Sequence, residues 1–137
     1  MRNSSWLAIG AVAVLGLTLV ANEKPSDAYA KAMKDIGAAQ MGLRAAVTAK
    51  DYDTIAKHAT TIRASLTSVE PFWTAKRADD AIAAIKAGVT AATDLETAAK
   101  GKNDEGIAAA NRAVNGACGS CHTPHRERLA YGTFEIE

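Results

Sequence analysis

The chain has 137 residues, with 16 Lys and Arg against 15 Asp and Glu, a formal net charge of +1 and 48% hydrophobic residues. That length holds one domain with its own core and is short for two, while the balanced charge and lack of a basic run argue against nucleic acid as a partner. Aromatics make up only 5%, prolines number 3 and alanine is abundant, a bias toward helix over strand.

Residues 1–21 stand apart: Arg2 and a polar start precede an uncharged run of 16 residues from Trp6 to Ala21. The run is shorter than the roughly 20 residues a spanning helix needs, and reads as a secretory signal peptide cleaved after Ala21. Leu19 is a poor fit to the small-residue cleavage rule, so retention as a short anchor is the alternative, and a membrane enters only in that case. Removing Arg2 with the leader leaves basic and acidic residues equal at 15 each.

Four helices follow from apolar spacing and breakers. The first opens after Pro25, where Ser26 caps the free amides and Asp27 complements the positive helix end. Its stripe is Met33, Ile36, Gln40, Leu43 and Val47, and it stops at the polar cluster from Lys50 to Asp53. Asp53 is read as the cap of a second helix, with stripe Ile55, Ala59, Ile62, Leu66 and Val69, ended by Pro71. Residues 70–78 then form the one longer connection, whose Phe72 and Trp73 cover one end of the core. The third helix starts near Asp79 or Asp80, carries Ile82, Ile85, Val89, Ala92 and Leu95, and fades at Gly101. Asn103 or Asp104 caps the fourth, which carries Ile107, Ala110, Val114 and Ala117. No segment alternates with period two, so no strands are expected. Short turns between long helices give an all-α, antiparallel up-down-up-down four-helix bundle.

The fourth helix runs into Cys118, Gly119, Ser120, Cys121 and His122, a CxxCH, the attachment signature of c-type haem. Positions three apart on a helix share a face, so two sulfurs reach the two vinyl groups on one side of a porphyrin. His122, directly after them, is placed to bond the iron. A zinc site from Cys118, Cys121, His122 and His125 would crowd four ligands into eight residues, unlike finger spacing. A redox-active disulfide is the other competitor, but the strand-and-helix context of thioredoxin-like sites is missing.

Only 15 residues follow His122, so one haem c must be enclosed by what precedes it. That order, helices first and CxxCH near the C-terminus behind a signal peptide, resembles the class II c-type cytochromes, across almost all of residues 22–137. The resemblance implies a four-helix bundle with haem in its core, in the family of the cytochromes c prime, a bundle example in general use. In the low-spin branch a methionine of the first helix is the second axial ligand, within a stretch resembling residues 33–43 here, and Met33 aligns with it. Met33 also lies on the apolar stripe, with Gly37 one turn on removing bulk. Met41, two turns away, is read as packing, and His58 as solvent-facing. Where relatives carry an arginine near the haem propionates this chain has Tyr29, with Lys31 or Lys34 as stand-ins. After the motif, Arg126 matches the relatives' basic residue and His125 does not match their aromatic; His125 is read as exposed. Pro124 predicts a kink just past the haem ligand.

The expected function is single-electron transport in the periplasm between redox partner proteins, with iron held by His122 and Met33 and no enzymatic role. Gas binding or sensing, of NO or CO, follows instead if Met33 leaves the iron five-coordinate, and thiol oxidoreduction is the third reading. Alanine-rich faces permit a homodimer without requiring one.

Overall fold

The computed structural model describes residues 23–128 and 134–136. Residues 1–21, for which a signal peptide is expected, lie outside them. Four helices dominate: α1 (Asp27–Ala49), α2 (Tyr52–Lys76), α3 (Asp79–Lys100) and α4 (Asp104–His125). Helices of 22 to 25 residues joined by turns of two or three residues must reverse direction at each turn, and α1 packs on α2, α2 on α3 and α3 on α4. The result is an all-α four-helix bundle. No described helix is long and apolar enough to cross a membrane.

The helix starts follow side-chain chemistry. The Ser26 hydroxyl accepts from the Tyr29 amide at 3.2 Å, and Asn103 Oδ1 accepts from the Gly106 amide at 3.0 Å. For α2 the cap is Asp51 rather than Asp53. Asp51 accepts from the Thr54 amide and hydroxyl at 3.1 and 2.6 Å, leaving Asp53 inside the first turn, where its charge complements the positive end of the helix dipole. Lys50 and Arg77 close α1 and α2 in the left-handed region, with φ of 53° and 56°, each offering its amide to carbonyls of the last turn.

Two expectations are corrected. Pro71 does not end α2, and residues 70–76 are helix rather than connection. Proline removes an amide and crowds the carbonyl four residues earlier, at a cost of about 3 kcal/mol. Pro71 and Thr67 both lie on the exposed side, so the freed carbonyl reaches water, while the next turn buries Trp73 to 2% exposure. Burying an indole of roughly 150–250 Å² is worth about 4–6 kcal/mol, enough to outweigh the proline and carry the helix on. The second correction is that strands exist: β1 (Arg126–Arg128) and β2 (Phe134–Ile136) pair antiparallel, with Arg126 opposite Ile136. Three residues are too few to show alternation.

The core divides along the bundle. One cluster packs Leu43, Ala46, Ile55, Leu95 and Ile107 near the α1–α2 and α3–α4 turns. The other gathers Ile36, Ile62, Val69, Trp73, Ile85 and Val114 toward the opposite end, with Met33, Cys118 and Cys121 half-buried against it. In α1 the fully buried positions are Ala32, Ile36, Ala39, Leu43 and Ala46, so Met33, Gln40 and Val47 sit on the flank of the stripe. Met41 is 74% exposed, which corrects its reading as a packing residue.

Trp73→Ala is expected to lower stability by about 3–5 kcal/mol and to reduce helicity as the turn beyond Pro71 unravels. Met41→Ala is expected to stay within about 0.5 kcal/mol of wild type. Urea unfolding followed by circular dichroism measures both.

Candidate functional site

Three of the four seams between neighbouring helices are closed by extensive packing. The fourth, between α1 and α4, opens into a cavity of about 1040 Å³, at the top of the roughly 300–1,000 Å³ range of small-molecule sites. Alpha-helical side chains of both halves of the sequence meet there. Met33, Gly37 and Gln40 line it from α1; Leu66, Val69 and Trp73 from α2; Ala84 and Ile85 from α3; and Cys118, Cys121 and His122 from α4. All four residues singled out from sequence, Met33, Cys118, Cys121 and His122, therefore face one space.

Their relative height is set by Gln40. Its Nε2 donates to Asn115 Oδ1 at 3.2 Å and lies 3.7 Å from Cys118 Sγ, bridging the open seam at the inner end of the cavity. From this pair, seven residues back along α1 reaches Met33, and seven forward along α4 reaches His122. Each step climbs about 10.5 Å and returns within about 20° of the same face. Positions 33 and 122 thus come to about the same height on α1 and α4, and both line the cavity. A Cβ built on Gly37, one turn from Met33, would meet nothing within 4 Å, so open space adjoins this wall.

The donors are in the protonation states that ligation and thioether chemistry require. Burial, reinforced by the Arg126 charge, pushes the His122 imidazolium down from its ordinary value, so the ring presents a neutral lone pair near pH 7. Burial raises the Cys118 thiol against the opposing Gln40 hydrogen bond. The Cys121 thiol is pushed up to about 11, by burial first and then by Asp80 and Cys118. Redox-active CxxC pairs have the opposite property, a thiolate stabilised near neutrality, so this site is poorly built for thiol exchange. Both cysteines are free. Among the described residues, no three His, Cys, Asp or Glu side chains converge in a group that could hold a metal ion.

Around these four sit residues whose roles the sequence showed less clearly. His125 is not an exposed residue: its Nε2 lies 2.8 Å from Asp80 Oδ2 and its ring 4.8 Å from the Trp73 ring. Trp73 Nε1 donates to the Tyr29 hydroxyl at 3.2 Å, and Tyr29 and Phe72 stack at 5.0 Å between centroids. Tyr29, Trp73 and His125 line the cavity, with Phe72 packed against the first two, so Trp73 is both core and cavity wall. Burial pushes the Tyr29 phenol up to about 12, against the indole's hydrogen bond. Lys34 lines the cavity, whereas Lys31 is turned away to pair with Asp35 at 2.6 Å. His58 is half-buried rather than solvent-facing, its ring packed over Gly42 at the α1–α2 contact and outside the cavity. Gln40 was legible in principle, since a polar side chain on an apolar stripe asks for a partner.

Comparison with protein families, with curated proteins and with solved structures finds no match for this chain.

The raised thiol of Cys121 makes a chemical prediction for the haem-free chain. A thiol at about 11 in place of the ordinary 9.0 has a thiolate fraction below pH 9 about 100-fold lower. At pH 8 its alkylation by iodoacetamide is expected to be slower than in urea by about that factor. The folded chain holds these protons more tightly than the unfolded one. The associated stability is therefore complete below about pH 9 and is lost as pH rises toward about 11. Equal alkylation rates in folded and unfolded chains would contradict the assignment.

Proposed function

We propose that this chain is a mono-haem c-type cytochrome of the class II kind, a periplasmic carrier of single electrons that docks with redox partner proteins. One observation carries the reading: Met33 of α1 and Cys118, Cys121 and His122 of α4 line one cavity open between the two helices, with the Gln40–Asn115 bridge bringing positions 33 and 122 to about the same height.

The residues present fit a haem c. Cys118 and Cys121, one helical turn apart on the cavity face of α4, would hold it through two thioethers, each made when a thiol adds across a vinyl group. His122 and Met33 would hold the iron from opposite walls, and Leu66, Val69 and Ile85 supply the apolar lining. When bound, the group supplies a one-electron iron couple, whose reduced form is favoured by His and Met ligation over anionic ligation. The chain's own contribution is to fix both donors on helices, keep water out and keep His122 unprotonated. No side chain is needed as acid, base or nucleophile.

The test is the optical spectrum of protein expressed with the cytochrome c maturation machinery. Wild type is expected to be low-spin in both oxidation states and nearly indifferent to carbon monoxide. Met33→Ala is expected to turn high-spin and bind carbon monoxide readily when reduced. A high-spin wild type that Met33→Ala leaves unchanged would remove Met33 from the iron and make gas binding the function.

A further inference from the structure

The structure assigns two segments distant in sequence to the same site: residues 23–25, just before α1, and strand β2 form a further wall of the cavity beside the four helices, an inference that rests on the proposed function. α4 stops at His125, next to Pro124, and Arg126 is extended (φ −128°, ψ 104°). β1 therefore leaves the bundle four residues after His122, on the His122 side of the cavity. β2 returns beside it, with Arg126 opposite Ile136. The outer edge of β2 is taken by the segment just before α1. The Glu23 amide donates to the Ile136 carbonyl and the Ile136 amide to the Glu23 carbonyl, both at 3.0 Å.

Side chains fasten this arrangement to the bundle. Ile136 is 5% exposed and belongs to the core cluster of Ala32 and Trp73. The Arg126 guanidinium lies 3.4 Å above the Phe134 ring, and the Glu23 carboxylate meets Lys76 of α2 at 2.7 Å. Lys24, Pro25, Phe134, Glu135 and Ile136 all line the cavity that Met33 and His122 face. A two-stranded pairing this short has no stability of its own, so the wall stands chiefly because Ile136 is buried. A flat macrocycle held by Cys118, Cys121 and His122 is thereby screened from water and small reagents by main chain drawn from two segments distant in sequence.

The experiment compares haem-loaded wild type with two full-length variants, Ile136→Asp, which removes the buried anchor, and Glu23→Pro, which removes the amide donated to Ile136. Ascorbate is the probe: its reduction rate and the midpoint potential are recorded for each. Both variants are expected to be reduced at least about tenfold faster, the factor that about 1.4 kcal/mol of closure free energy suppresses. Their potentials are expected to fall, because added water favours the more highly charged oxidised iron. Variants that keep their haem yet match wild type in rate and potential overturn the wall. A wild-type chain that takes up no covalent haem defeats the proposed function itself, and with it this inference.

Discussion

Everything distinctive about this bundle depends on the seam between α1 and α4 being left unfilled. A four-helix bundle gains its stability by burying apolar faces along every seam, and three seams here do so. Along α1 the fully buried positions are mostly small, Ala32, Ala39 and Ala46 around Ile36 and Leu43. On α4 only Ile107, Ala110 and Val114 are fully buried, all before the cysteines. Toward the outer end Met33 of α1 and Cys118, Cys121 and His122 of α4 are only partly buried and line the open space. Gln40 holds the seam at one end, and Tyr29 and Trp73, with Phe72 packed against them, line the other.

The same arrangement separates stability from the site. The cluster around Leu43, Ile55, Leu95 and Ile107 is complete without any cofactor, and it anchors all four helices at the end remote from the cavity. The cluster around Ile36, Val69, Trp73 and Ile85 is the one that borders open space. A bound apolar ring would therefore add to the second cluster without being required by the first. Burial at that end also sets the ionisation states, holding His122 neutral and both thiols protonated.

Helix count, three of the four starts and the face of α4 that carries the motif were all legible in the sequence, because apolar spacing and capping chemistry are local. So was the meeting of Met33 with Cys118, Cys121 and His122, given only that α1 and α4 are neighbours. The misreadings have a common cause in tertiary packing that local rules do not contain. Pro71 stays helical because Trp73 beyond it is buried. His125 is drawn in by Asp80 and Trp73 from two other helices. The pairing of Glu23 with Ile136 joins residues 113 positions apart, and nothing in either short segment announces the other.

The central claim is covalent attachment of one haem at Cys118 and Cys121, and intact-protein mass spectrometry after coexpression with the maturation machinery tests it most directly. The account predicts a mass gain of one haem that survives acid-acetone extraction and is lost in the Cys118→Ala, Cys121→Ala double variant. An unmodified chain, or a haem that extraction removes, would contradict it.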